Sequence, residues 1–329
     1  PATSPVRAPE PIAPDRGSIE CPNDRQPLPT PLPSPVKAGK LKTKIVGIGG
    51  TGVAAVDEIA SNSRLCKGAT FCQIDTDAKS LRRSKIRDIL HIKTGKDDDG
   101  GTGGDGALGG LCMEANVEKF REMGRDGTDV VIIVTSLTGG TGCGSSPVVA
   151  RVARDDLKCL TIGVVSLPFN PAGVGEMTCL TKALEKLEKS TDYLLLTHSL
   201  KKAVKYITTE KLLKKGVVGL LTQLQSQKGD LNTLRDFFKN DSYGILGIGC
   251  LKTQNVFFRR STRRHHRSFK TSMLIPMREA QKISFCLSTR RELSAKEIKE
   301  TRKKVEIISN PEADMLTSYR RNSGYGNSI

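Results

Sequence analysis

Thr138-Gly139-Gly140-Thr141-Gly142-Cys143-Gly144 follows the β-branched run Asp129–Thr135 and precedes a stretch that reads as helix, Ser146–Asp156. Four glycines in those seven positions let the backbone turn tightly and leave it bare of side chains. A helix start then offers unbonded amides and the positive end of its dipole. The ligand suited to such a turn is an anion, above all a phosphate. Strands that run straight into helices belong to parallel sheets, so the same stretch points to an α/β fold with its ligand at the carboxyl ends of the strands.

Upstream, Gly47-Ile48-Gly49-Gly50-Thr51-Gly52 repeats the arrangement after the strand Lys44–Ile48 and before a helix over Val53–Ser61. Gly47, Gly49 and Gly52 fit G-x-G-x-x-G, and Asp75 and Asp77 end the next strand, as in a dinucleotide-binding Rossmann unit. That loop alone leaves an NAD(P) oxidoreductase and a nucleoside phosphate binder both open. A second glycine cradle favours a nucleoside di- or triphosphate held from two strand ends. A third cluster, Gly100-Gly101-Thr102-Gly103-Gly104-Asp105-Gly106, reads equally well as a linker or a further phosphate loop.

Further strands are expected at Thr70–Ile74, Leu160–Leu167 and Tyr193–Thr197, and helices at Met113–Met123 and Glu176–Lys189. Alternation of this kind predicts a parallel, Rossmann-like sheet covered on both faces. Lys201–Gln227 reads as a long central helix. Tyr243–Ile248, Lys282–Leu287 and a helix over Ser294–Ile308 suggest a smaller α/β unit at the C-terminal end.

Composition bounds the rest. Residues 1–40 hold 11 of the 16 prolines and no hydrophobic period, which predicts a disordered or polyproline-like tail. The chain begins with Pro1, which implies a processed or incomplete N-terminus, and the tail's five basic and four acidic residues do not suit a transit peptide. No run approaches the ~18 apolar residues of a membrane span. The net charge is +17, and Lys252–Lys270 carries seven Lys or Arg without one acid, a stretch that reads as a solvated loop or a contact for an anionic surface. The nine cysteines show no C-x-x-C and no His at ligand spacing nearby, which argues against zinc and against a paired disulfide framework and suits buried thiols in a reducing compartment.

Gly139-Gly140-Thr141-Gly142-Cys143-Gly144-Ser145-Ser146-Pro147-Val148-Val149-Ala150 closely resembles the signature loop of the tubulin/FtsZ family, in the form its bacterial cell-division branch carries. The resemblance extends to Gly47–Gly52, to Asp75-Thr76-Asp77-Ala78, to Pro168-Phe169 with Gly173, to Gly247-Ile248-Gly249 and to Ser309-Asn310-Pro311-Glu312-Ala313. It implies a GTPase domain over residues 41–200, a central helix over 201–228 and a C-terminal assembly domain over 229–329. Gly49, Gly50, Thr51, Gly52, Asp75, Thr76, Asp77, Gly103, Gly104, Gly139, Gly140, Thr141, Gly142, Cys143 and Gly144 would hold GTP or GDP with Mg2+. Head-to-tail homo-polymers, division-site and membrane-tethering partners and a cytoplasmic location, with a plastid as the alternative, are further implications. Hydrolysis would take place at the subunit junction, where carboxylates of the incoming subunit orient water.

The sequence also departs from the family pattern. By resemblance, Ala54, Ala172 and Glu176 stand where the family has Asn, Glu and Arg, and Ile207 and Lys211 where it reads the base. Asp75 replaces an Asn near the phosphates, adding charge where repulsion is costly. Asp230 takes the first catalytic carboxylate position, but Thr233 takes the second, leaving Asp236 as the substitute. A relative that has lost hydrolysis and serves as a filament partner is therefore a further reading beside the active GTPase.

Overall fold

The computed structural model describes residues 41–61, 68–95, 100–168, 173–198, 208–226, 231–238, 243–245, 282–289, 294–308 and 314–321. The proline-rich tail, Asp230 and Lys252–Lys270 lie outside the described residues.

Strand β1 (Thr43–Ile48) runs directly into helix α1 (Gly49–Ala60), and β2 (Ala69–Asp75) into the short α2 (Ala78–Arg82). After β3 (Ile89–His91) come α3 (Gly106–Glu114) and α4 (Val117–Gly124). Next are β4 (Val130–Ser136), α5 (Gly140–Arg151), β5 (Leu160–Leu167), α6 (Val174–Ser190) and β6 (Tyr193–His198). Helices α7 (Thr209–Ser226) and α8 (Leu231–Phe238) precede β7 (Tyr243–Ile245).

These seven strands form one sheet in the order β3-β2-β1-β4-β5-β6-β7, parallel throughout; β7, expected in the smaller C-terminal unit, instead extends this sheet, because its Tyr243–Ile245 backbone pairs with Leu194–Leu196 of β6. The order reverses between β1 and β4. In an open α/β sheet that reversal leaves a crevice outside the carboxyl ends of the two strands, with no helix crossing it.

The core explains why the strands read as unbroken apolar runs. Successive side chains of β4 point to opposite faces. Val131 and Ile133 join Met113, Phe120, Val149 and Leu187 of α3 to α6. Val130, Ile132 and Val134 join Val56 and Ile59 of α1, Val217 and Leu221 of α7, and Leu234 and Phe238 of α8. Both faces are covered, which is the condition under which a parallel sheet is stable.

Several expected boundaries move. Helix α1 starts four residues before Val53 and α5 six before Ser146, so the glycine turns are themselves the first helical residues. Glycine is a poor helix former, and propensity alone pushes the expected start downstream. Pro147, which would suit a first helical turn, lies inside α5. A single π turn over Val152–Asp156 carries that helix on to its end. The helix expected over Met113–Met123 is two helices, parted at Ala115-Asn116, where the Asn116 side chain donates to the Cys112 carbonyl at 2.8 Å.

Downstream, β8 (Lys282–Thr289) and β9 (Asp314–Arg321) pair in parallel, with α9 (Ala295–Ile308) between them in sequence. Ser294 and Glu297 close the start of α9 in a reciprocal capping box, with Ser294 N–H donating to the Glu297 carboxylate at 2.9 Å and Glu297 N–H to the Ser294 hydroxyl at 3.3 Å.

Candidate functional site

The two glycine turns that the sequence separates by some ninety positions meet at the switch point. Ile48 and Thr135 lie opposite each other at the tips of β1 and β4, and the Thr135 hydroxyl donates to the Ile48 carbonyl at 3.1 Å. Gly49 takes a φ of +72°, and a side chain there would come within 3.2 Å of the Gly142 amide nitrogen. Only glycine permits both the backbone angle and the approach of the two helix starts.

No side chain caps the first turn of α1 or α5. The contrast with their neighbours is chemical. Asp77 accepts from Lys79 N–H at 2.8 Å and closes α2, and Asp105 accepts from Ala107 N–H at 2.8 Å and closes α3. The helix starts at β1 and β4 keep their amides for an outside acceptor, and the space beside Gly50 and Gly139 is open, with no atom within 4 Å of an added Cβ. Two dipole ends side by side with bare backbone fit a polyphosphate.

The third glycine cluster belongs to the same assembly. Asp77 and Gly100 form an antiparallel bridge, and Gly103 and Gly104 make a positive-φ turn that feeds α3. Helix α3 then lies almost backbone to backbone on α5. A Cβ on Gly109 would stand 2.6 Å from the Gly140 carbonyl oxygen, and one on Gly140 would stand 2.5 Å from the Asp105 carbonyl oxygen. Ser145 Oγ donates to the Gly109 carbonyl at 3.0 Å across this contact. The cluster is part of the site's wall, not a detached linker.

The tip of β2 closes the other side. Thr76 is fully buried, and its hydroxyl lies 2.6 Å from that of Thr141 in the first turn of α5. His91 Nε2 donates to the Thr76 carbonyl at 3.1 Å. Asp75 is also buried. It accepts from Thr76 N–H at 2.8 Å and from the Ser80 hydroxyl at 2.7 Å. Burial pushes its carboxyl above the usual value, against the pull of these hydrogen bonds.

The sequence-selected residues separate by role. Gly49, Gly50, Thr51, Thr76, Gly139, Gly140 and Thr141 gather at the strand tips. Asp77 lies beside them as the α2 cap. Gly52, Gly142 and Gly144 face the strands and α3, where a Cβ would collide with backbone. The Cys143 thiol is buried, its amide already bonds the Gly139 carbonyl at 3.0 Å, and burial followed by the neighbouring Cys179 pushes its pKa up. Sequence reasoning missed Asp105 and Gly109. The signal was present: Asp immediately before a small-residue helix is a capping pattern.

Asp236 sits elsewhere. It is exposed on α8, whose Arg235 donates to the Lys158 carbonyl at 3.3 Å and whose Phe238 ring lies 4.4 Å from that of Tyr193. Lys158 and Tyr193 stand at the amino ends of β5 and β6. Helix α8 is thus at the opposite end of the sheet from the glycine turns.

With this geometry in view, residues 42–201 match the Tubulin/FtsZ family, GTPase domain. The segment is a tubulin/FtsZ-type GTPase domain. Among relatives, the cell division protein FtsZ of Aquifex aeolicus is 33% identical over 160 residues, covering 49% of this chain and 42% of that protein. FtsZ of Wigglesworthia glossinidia brevipalpis is 33% identical over 154 residues, 46% and 39% of the two chains. The chain thus spans about two fifths of the length of these relatives.

Solved structures extend the likeness of fold. An FtsZ variant from M. jannaschii superposes with a TM-score of 0.73 at 24% identity, covering 87% of each chain. A GTPγS-bound protofilament of CetZ2 from Haloferax volcanii gives 0.64 at 16% identity, covering 86% of this chain and 89% of that one. No helix among the described residues is long and apolar enough to cross a membrane.

Proposed function

We propose that this chain binds GTP and GDP across the β1–β4 tips and assembles head to tail into filaments that serve cell division. The observation that carries this reading is the pair of uncapped glycine turns meeting at the switch point of a tubulin/FtsZ-type GTPase domain. Amides of Gly49 to Thr51 and of Gly140 to Gly142 would hold the phosphates, with Thr76 and Thr141 as hydroxyl donors and Gly103 and Gly104 closing over them. Bound Mg2+ would neutralise phosphate charge, which matters more here because Asp75 lies buried beside the site.

The polarity of the domain supports hydrolysis between subunits. In one chain Asp236 lies at the far end of the sheet from the glycine turns, so only a neighbour stacked on that end could present it to a phosphate. Asp230 and Asp236 are assigned to orienting the attacking water, with catalysis coming from positioning and charge stabilisation. Elements β8, α9 and β9 are read as the smaller C-terminal unit that meets the next subunit, and such a contact is heterologous and propagates instead of closing. Division-site and membrane-tethering proteins are the expected partners, with Lys252–Lys270 as a contact for an anionic surface and the cytoplasm as the location.

The experiment is a titration with GTP, ATP and NADH, followed by phosphate release across protein concentration. Binding of GTP, with release per molecule rising steeply with concentration, supports the reading. Indifference to GTP, or a response to NADH alone, overturns it. GTP binding with no release at any concentration marks the hydrolysis-deficient filament partner.

A further inference from the structure

Between α2 and β3 the chain places its cations in a way the nucleotide site does not use. Lys79, Arg82, Arg83, Lys85, Arg87 and Lys93 are all exposed, and Asp88 is the one acid among residues 79–93. Burial alternates along the segment: Arg83, Lys85 and Arg87 face solvent, while Ser84 and Ile86 turn inward. The Ser84 hydroxyl donates to Asp57 Oδ1 of α1 at 2.7 Å, Ile86 N–H donates to Ser84 Oγ at 3.0 Å, and the Ile86 side chain packs on the α1-side core. Two inward anchors therefore hold three cations along one outward face, about 7 Å apart by the rise of an extended chain.

Arg83, Lys85 and Arg87 lack, among the described residues, the ion-pair partners that cations find elsewhere on the domain. Arg121 meets Glu118 and Asp156, Arg151 meets Glu114, and Arg154 meets Asp155. Lys79, Arg83, Lys85 and Arg87 have no ion pair among the described residues. Immediately beyond them, Ile89 exposes an apolar side chain, 37% open, on β3 at the outer edge of the sheet. No Phe, Tyr or Trp occurs between Asp77 and Gly95, and the one imidazole, His91, is held on the Thr76 carbonyl, so the face lacks the ring platforms on which single-stranded bases stack.

We infer that the α2–β3 edge is a docking face for an anionic lipid surface, with Lys79, Arg83, Lys85 and Arg87 meeting headgroups and Ile89 meeting the interface. A fixed row of cations flanking an apolar side chain matches a plane of negative charge with a hydrophobic layer beneath it. Arg83, Lys85 and Arg87 take no part in the nucleotide loops, so the outcome of the test says nothing about GTP. A plain alternative is that the cations only keep a bare edge strand from pairing with other chains.

The test is co-sedimentation of the full chain with vesicles of phosphatidylcholine alone or with about 30% phosphatidylserine, at low and high salt. The variant Arg83→Gln/Lys85→Gln/Arg87→Gln should keep the native thermal midpoint and GTP response while its partition onto the anionic vesicles falls about a hundredfold, at roughly a factor of five per charge. Arg263→Gln/Arg264→Gln/Arg267→Gln measures the share carried by the second basic run, and the edge substitutions should cost the same factor in that background. Ile89→Ser should leave low-salt binding intact and remove what persists at high salt. The inference is overturned if the triple edge variant sediments like the parent chain, if neutral vesicles bind equally well, or if the variant loses retention of duplex DNA while vesicle binding is unchanged.

Discussion

Gly109→Ala tests whether α3 sets the position of the phosphate-facing turn. The added methyl would stand 2.6 Å from the Gly140 carbonyl oxygen and 3.2 Å from Thr141 Cα, about 0.8 Å inside the 3.4 Å at which ordinary contact begins. Both neighbours are backbone, so no side chain can swing away. Either α3 or the start of α5 must move. Overpacking of this kind costs about 1–3 kcal/mol of stability. A shift of ~0.8 Å also stretches a hydrogen bond of ~2.9 Å past the ~3.2 Å limit. Two charge-assisted bonds at roughly 1.5 kcal/mol each amount to about a hundredfold in affinity. Gly110→Ala is the internal control: one residue on, its methyl meets the Gly144 carbonyl oxygen at an ordinary 3.5 Å. Isothermal titration with GTP and a thermal melt of both variants decide the matter. Equal affinities in the two variants would refute the idea that α3 holds the turn in place.

Asp75→Asn should tighten nucleotide binding several-fold and raise the melting temperature near neutral pH. The folded state raises the Asp75 pKa above its unfolded value of ~3.9, so its carboxylate costs stability that is absent below that value and sets in as pH rises through the folded pKa. The gain in melting temperature from the variant should therefore vanish in acid, and a gain that persists there would contradict the account. Asp126 behaves in the opposite sense: burial works against its charge, but the Thr128 hydroxyl and the Lys44 ammonium at 2.9 Å outweigh it and lower the pKa. Its contribution is present above the unfolded value and lost as pH falls through the folded one, so Asp126→Asn should flatten the acid limb of a stability-versus-pH curve. Lys44→Met, which keeps the stem in its buried place, should cost less than Asp126→Asn, which leaves the buried ammonium with only neutral acceptors such as the Met123 carbonyl; chemical denaturation gives the comparison. Burial holds the Cys72 thiol at about 12 and Cys159 at about 11, so neither should react with iodoacetamide at mildly alkaline pH until the chain unfolds, as mass mapping would show.

Much of the GTPase domain was legible because its strands are long and buried on both faces. Leu160–Leu167 is the strand expected residue for residue, and β1, β2, β4 and β6 differ only at their ends. Strand β3 was missed because three residues, one of them exposed, carry too little pattern. The site was legible as glycine loops but not as geometry. Glycine content cannot say that α1 and α5 begin within the loops, nor that Gly109 and Gly140 must be small because two helices touch. Which glycines face a ligand and which face a neighbour is decided by packing between segments distant in sequence. The same limit applies to Asp236, whose place at the far end of the sheet follows from Arg235 and Phe238 gripping the starts of β5 and β6.

The parallel sheet gives the molecule a direction, since every strand delivers its chain to the same edge. Subunits stacked along that direction would cover the glycine turns of all but the terminal one. In the proposed filament, exchange of nucleotide would then be confined to a single tip, and the two extremities would grow and shrink at unequal rates.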